Sequence, residues 1–332
     1  MADSVLVVGG AGYIGSHMVK LLASTGHEVV VFDDLSTGHR DAIASSVLVE
    51  GDLRDPVAIT KALALRKFSS VLHFAAKCYV GESVQDPAKY YGNNVLGTAN
   101  LLEAMRTNGV GKLVFSSSCS TYGDPVMTPM TEEHPQDPVN PYGATKLMGE
   151  RAMKDYGRAY GLRTVALRYF NASGLDADGT LGERHDPETH LIPLVLREAL
   201  RLRAGGARDA TQLQVFGDDF DTPDGTCIRD YVHVSDLCAA HLLAMRRLDA
   251  PGRAFEAFNL GSEKGSSVLD VIECCRRITG QDIGYKMAGR RAGDPARLIA
   301  SSERARRDLG WSPRYADLPE IVSTAWRWFS RT

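Results

Sequence analysis

VLVVGGAGYIGSH, residues 5–17, sets the architecture of this chain. An aliphatic run leads into Gly9, Gly12 and Gly15, spaced G-x-x-G-x-x-G, and a helical pattern follows. Strand, tight turn and helix start, in that order, bring free backbone N–H groups and the positive end of a helix dipole to one point. Glycines there let the backbone approach a pyrophosphate, so the loop reads as a dinucleotide cradle, with Tyr13 and Ile14 opening the helix. The next strand, EVVVFDD (28–34), ends at Asp33, eighteen residues past Gly15. A carboxylate there can hydrogen-bond both ribose hydroxyls and would repel a 2′-phosphate, which favours NAD over NADP. No Arg or Lys falls between Asp33 and Gly38, although Arg40 lies close by.

The same rhythm continues. SSVLHFAA (69–76), KLVFSSS (112–118) and RTVALRYFNASG (163–174) read as buried strands, and SSVLVEGD (45–52) as a further one. SHMVKLLASTG and NNVLGTANLLEAMRTNG between them are amphipathic and end at glycine, a helix stop signal. Apolar strands alternating with helices predict an α/β fold, a Rossmann-type doubly wound parallel sheet covered on both faces. Beyond about residue 174 the pattern breaks into loops rich in Asp, Gly and Pro, with shorter elements at LQVF, AFNLGS and 268–279, and a helix ending TAWRWFS. The expected organisation is an NAD-binding domain over 1–173 and a smaller C-terminal substrate-binding domain over 174–332, with a return to the first domain around 230–250.

In a doubly wound sheet, ligands lie at the carboxyl ends of the strands. Ala75, Lys77 and Asn94 are therefore expected on the cofactor side. Asp52, in EGDLRD, reads equally as an adenine contact or a helix cap. NPYGATK (140–146) places Tyr142 one turn before Lys146, with Asn140 as cap and Pro141 in the first turn. The pair could be a surface contact. It could also be a base: one cation about 6 Å from a phenolate stabilises it by roughly 3 kcal/mol at an effective dielectric of about 20, or about two pKa units. Lys146 supplies one charge and an oxidised nicotinamide ring a second, which brings the phenol near neutrality. Ser118 ends the strand 112–118, and its hydroxyl can donate, accept and relay a proton.

Composition excludes some alternatives. The chain has 332 residues, 44% hydrophobic and 24% charged, with a net charge of −3, so no basic field favours nucleic acid or an anionic membrane. No apolar run is long enough for a transmembrane helix, and the start has no basic region before its apolar stretch, as a secretory signal would. Six scattered cysteines, without C-x-x-C, fit a cytoplasmic protein without a zinc site. The Asp-rich stretch from Asp219 to Asp230 departs from a calcium loop, with Gly225 at the seventh position and Asp230 at the twelfth. No metal is expected.

GGAGYIGSH, FSSSCSTYG, PYGATKLMGE, LRYFNASG, GDDFDTPDGTCIRDYVHVSDL and RRAGDPARL together resemble the extended short-chain dehydrogenase/reductases, and within them the UDP-sugar 4-epimerases, nearly end to end. The resemblance implies reversible epimerisation at C4 of a UDP-hexose, UDP-glucose against UDP-galactose. Tyr142 takes the 4-hydroxyl proton, C4 gives hydride to tightly held NAD, and the 4-keto sugar turns over before the hydride returns. It also implies cofactor contacts at Leu53, Phe74, Ala76, Ser116 and Tyr169. Substrate contacts are implied at Phe170, Asn171, His190, Leu191, Gln214, Phe216, Arg229, Tyr231, Arg291 and Asp294, with Ser118 and Tyr142 at the sugar. Read alone, the arginines could equally be surface ion pairs. The family further implies a homodimer paired through helices near 94–107 and 142–160, although those apolar faces could equally be core.

Three positions depart from the family pattern. Cys78 stands where many relatives have a lysine, which is displaced here to Lys77. His190 replaces an asparagine found in some relatives. Leu298 occupies a pocket wall that relatives fill with tyrosine or a smaller residue. Cys119 and Ser120 after Ser118 lack the acids that sugar dehydratases and decarboxylases carry there. Epimerases of UDP-N-acetylglucosamine, UDP-glucuronate or UDP-pentoses remain alternatives, and a non-catalytic NAD sensor is a distant one.

Overall fold

The computed structural model describes residues 3–43, 46–176, 178–291 and 294–331. Its centre is a seven-stranded parallel sheet. Strands β1 (Ser4–Val8), β2 (Glu28–Asp33), β3 (Val47–Glu50), β4 (Phe68–His73), β5 (Lys112–Ser118) and β6 (Arg163–Tyr169) are joined by a seventh strand, Phe255–Leu260. From one edge the order is Phe255–Leu260, β6, β5, β4, β1, β2, β3. Strand order reverses between β1 and β4, and a crevice opens there at the carboxyl ends. Ser45, which opens the stretch read as the third strand, lies outside the described residues.

Residue alternation accounts for the layers. Val5 and Val7 enter a core with Met18, Leu22, Leu237 and Trp311 on one face. Leu6 and Val8 enter a second core with Ile59, Leu101, Met105 and Phe115 on the other. A strand apolar at both parities buries both faces, each fully buried Val or Leu adding about 1.5–3 kcal/mol. The glycine stops behave as read: Gly26 and Gly109 take φ of 84° and 71° just past the helices Tyr13–Ser24 and Gly97–Thr107.

Three features differ from the sequence reading. AFNLGS, expected among the short elements of the second half, contributes the seventh strand of the main sheet, paired in register with β6 from Phe255–Thr164 to Leu260–Tyr169. The stretch 163–174 is two strands: after β6 the chain bends, and Asn171–Ser173 pairs with Tyr231–His233 instead. The helix expected from residue 93 begins as a wide turn, Tyr91–Leu96, of the i→i+5 kind that marks functional sites, before becoming regular at Gly97. The second half gathers the helices Leu191–Arg203, Val268–Thr279 and Leu318–Phe329 around a separate core that includes Val195, Leu196, Ile272 and Val322.

Candidate active site

The glycine loop is built by close approaches. Gly9 has φ +80°, and a Cβ there would lie 2.4 Å from the Ala75 backbone nitrogen. A Cβ on Gly15 would lie 2.0 Å from the Gly9 carbonyl oxygen, so the helix start seats on the turn. A Cβ on Gly12 would find only that same oxygen, at 3.6 Å, so this glycine faces open space. That is the cradle a pyrophosphate needs, and the residues present fit a dinucleotide.

Asp33 ends β2 beside it. Its carboxylate accepts from the Ala11 and Leu35 N–H groups, both at 2.9 Å, which orients it and leaves lone pairs for ribose hydroxyls. Burial pushes its carboxyl up from the ordinary range. Arg40 is turned to Glu50 at 2.6 Å, so it does not invert the preference for an unphosphorylated ribose. Asp52 grips Arg54 through both carboxylate oxygens, and the cap of the helix Pro56–Ala64 is Asp55, which accepts from the Val57 N–H. Leu53 is buried against Gly97. Phe74 and Ala75 donate their N–H groups to the Val8 carbonyl, which carries Ala76 and Lys77 across the crevice. The Lys77 ammonium reaches Ser36 at 2.7 Å, on the β2 side. Asn94 binds the Lys77 backbone in both directions and donates to Thr145 at 3.1 Å, so it ties the cofactor loop to the helix Pro141–Tyr160. Tyr13 turns its hydroxyl to the Gly174 carbonyl and Ile14 packs into the core.

Ser118, at the carboxyl end of β5, accepts from the Ser120 N–H at 3.1 Å, and its hydroxyl favours ionisation of the Tyr142 phenol. Asn140 accepts from the Gly143 N–H at 2.9 Å and starts the helix at Pro141. A Cβ on Gly143 would lie 2.2 Å from the Ser120 carbonyl oxygen, so this glycine lets the helix close on the Ser118 loop. Lys146 is buried, donates to the Ser116 carbonyl at 2.7 Å, and lies 6.0 Å from the Tyr142 ring centroid. Burial raises the Tyr142 phenol well above its ordinary value, with Cys78 and Tyr169 adding to the rise. Burial also pulls Lys146 down to about 8. Burial thus outweighs the chain's own cation at the phenol. Ser116 shares its hydroxyl with His241 at 3.0 Å, and burial raises Tyr169.

The nucleotide-sugar positions lie across the cleft. Arg229 pairs with Asp294 at 3.2 Å, and Arg291 stacks on the Phe216 ring at 3.9 Å. Asn171 donates to the Asp230 carbonyl, and Phe170 packs with Tyr122 and Met130, with Leu298 against them. His190 precedes the helix that Leu191 opens, without a capping hydrogen bond from its side chain. Gln214 is exposed, and Tyr231 is buried in the second-half core.

Sequence reasoning missed a buried network one turn beyond Lys146. Glu150, two turns after Tyr142, pairs with Arg168 of β6 at 2.6 Å and accepts from Ser117 at 2.7 Å. Arg168 also donates to the Tyr122 hydroxyl at 2.9 Å. The i, i+4, i+8 spacing of Tyr142, Lys146 and Glu150 was the available signal.

A parallel doubly wound sheet with a glycine cradle at its switch point and a Ser–Tyr–Lys set at the neighbouring strand end defines a dinucleotide-dependent enzyme of the short-chain type. The chain belongs to the NAD dependent epimerase/dehydratase family, which it matches over residues 5–261. It is 49% identical to a UDP-glucose 4-epimerase of Lacticaseibacillus casei over 98% of this chain and 96% of that one. Among solved structures, a UDP-glucose 4-epimerase from Brucella ovis in complex with NAD is 51% identical, with a TM-score of 0.93 over 99% of this chain and 98% of that one. One from Bifidobacterium longum, in complex with NAD+ and UDP, is 34% identical, with a TM-score of 0.91 over 99% and 98%.

Proposed function

We propose that this chain interconverts UDP-glucose and UDP-galactose by epimerisation at C4, with NAD held in the Gly9–Gly15 cradle. The observation that carries the reading is that Gly143 seats the start of the helix carrying Tyr142 and Lys146 on the strand end that presents Ser118, with Cys119 and Ser120, not acids, following Ser118 in the chain. Bound NAD supplies a hydride acceptor and returns the hydride. The chain's residues do the rest. Tyr142 removes the hydroxyl proton and gives it back, Ser118 relays it, and Lys146 keeps a positive charge near the phenol. Asp33, Lys77 and the glycine loop hold the cofactor. Arg229 and Arg291 offer planar forks to the UDP diphosphate.

The test is an assay of purified protein with UDP-glucose, UDP-N-acetylglucosamine, UDP-glucuronate and UDP-xylose, alongside Tyr142→Phe. The expected result is turnover of UDP-glucose that is lost in the variant, with NAD released only on denaturation. Turnover of another sugar in preference to UDP-glucose would transfer the reading to that substrate.

The functional unit is a homodimer. Leu96 and Met148 are 50% and 40% exposed on the helices 91–107 and 141–160, and Val84 is 63% exposed on the helix Val80–Gln85. Apolar groups clustered on one face mark an interaction surface. The protein works in a reducing cytosol, in keeping with six cysteines that are all free. Among the described residues no helix is long and apolar enough to cross a membrane.

A further inference from the structure

The loop GERHDPETHL (182–191) carries four donor side chains spaced E-x-H-x-x-E-x-H: Glu183, His185, Glu188 and His190. One donor atom from each lies within 4.8 Å of the other three. The Glu183 Oε1 atom is 3.0 Å from His185 Nδ1 and 2.8 Å from His190 Nδ1. Glu188 approaches the same two nitrogens at 3.8 and 3.1 Å. Glu183 is 3% exposed, and Glu183 Oε1, His185 Nδ1 and Glu188 Oε2 are buried without a hydrogen-bond partner. His190 Nδ1 hydrogen-bonds Glu188 Oε1, whereas Glu183 Oε1 and His185 Nδ1 converge at close range without the alignment of N–H on oxygen. Two buried carboxylates side by side also require a compensating positive charge.

We propose that Glu183, His185, Glu188 and His190 bind one divalent transition-metal ion of the zinc class. Zinc bonds of about 2.0–2.2 Å place tetrahedral donor atoms about 3.3–3.6 Å apart; the nitrogen–oxygen separations here run from 2.8 to 3.8 Å, those of Glu188 to its two different oxygens, within a cluster whose donor atoms all lie within 4.8 Å of one another. Two neutral imidazoles and two carboxylates balance a double positive charge. Nitrogen donors favour zinc, cobalt or nickel over calcium and magnesium, which take oxygen. The Thr189 and His190 N–H groups donate to Glu188 Oε1 and orient it, as outer partners of a metal site do. Four protein donors leave no open position, so the role is structural.

The placement gives that role a purpose. The loop crosses from the second half onto the cofactor side. His39 meets the Arg184 carbonyl at 3.0 Å, Arg184 pairs with Asp41 at 2.8 Å, and the Tyr79 hydroxyl donates to the Pro187 carbonyl at 3.2 Å. The His185 ring stands edge-on to Tyr13, which opens the helix within the glycine cradle, at 6.1 Å. A metal here fastens a strap over the dinucleotide crevice and keeps the cofactor from leaving.

The test starts from NAD-loaded protein purified without a histidine tag. Its metal content is read by mass spectrometry. After stripping with dipicolinate, it is titrated with cobalt(II) alone. The expected result is one equivalent of metal per chain and the intense visible bands of four-coordinate cobalt. His185→Asn and Glu183→Gln should each weaken cobalt binding by more than the roughly 10–100-fold that loss of an outer partner costs. Stripped protein should release NAD faster, with restoration by zinc. Circular dichroism of both variants separates loss of the site from loss of the fold, and the wild-type titration stands whatever the variants do. No saturable cobalt uptake by wild-type protein, or uptake unchanged in two folded variants, would overturn the proposal and leave a cluster of imidazolium–carboxylate pairs.

Discussion

The Lys146 ammonium donates a 2.7 Å hydrogen bond to the Ser116 backbone carbonyl, two residues before Ser118. That bond makes the cation part of the strand that also presents the serine. The Tyr142 phenol, the Lys146 cation and the Ser118 hydroxyl are thereby held by one strand end and one helix turn. Lys146→Met removes the charge 6.0 Å from the Tyr142 ring while keeping most of the volume. Without it the phenol is harder to ionise, so the acid limb of kcat/KM should move to higher pH by about two units. The alkaline limb set by Lys146, whose pKa is pulled down to about 8, should disappear. Rates measured from pH 6 to 10, with NAD content as a control, give both. An unshifted profile would show that the cation does not act on the base.

Gly143 is a positioning residue. Its Cα hydrogen faces the Ser120 carbonyl, where a methyl carbon would stand at 2.2 Å. Gly143→Ala should push the start of the helix away from the strand end and part Tyr142 from Ser118. A displacement of about 1 Å costs on the order of 100-fold in rate. The expected outcome is a fall in kcat of that size with little change in KM, because the displaced groups are those expected at the reacting carbon. A proportional rise in KM with kcat intact would place the effect in binding instead.

The Glu150–Arg168 pair is buried at both ends, with side chains 0% and 3% exposed. Burial alone would raise the Glu150 carboxyl, but Arg168, with Ser117, holds it below its ordinary value. Removing one partner of such a pair costs about 3–5 kcal/mol, so Glu150→Gln should lower urea stability by about that amount. A depressed folded-state pKa stabilises fully above the ordinary glutamate range and loses that contribution as pH falls through the folded value. The gap between wild type and Glu150→Gln should therefore be widest near neutrality and narrow in acid. A gap independent of pH would mean that packing, not charge, is what the glutamate supplies.

The exposed Leu96 and Met148 should be buried in solution. Sedimentation or light scattering of the wild type is expected to report a dimer at micromolar concentration, and Leu96→Lys combined with Met148→Lys a monomer. A wild-type monomer at that concentration would show that the face has another use.

Most of the cofactor half was legible in the linear chain because its signals are local. Gly9, Gly12 and Gly15 act within one turn, Asp33 closes the next strand, and Tyr142 and Lys146 share one helical turn. Three-dimensional packing was needed wherever a contact joins distant segments. It took Phe255–Leu260 out of the second half and laid it beside β6, because strand pairing depends on which edge is free rather than on composition. It put Glu150 against Arg168, and it drew four donors of the loop 183–190 to one point, which spacing along an irregular loop does not reveal. It also showed that burial raises the Tyr142 phenol, since desolvation depends on what surrounds a group and not on the residues that precede it.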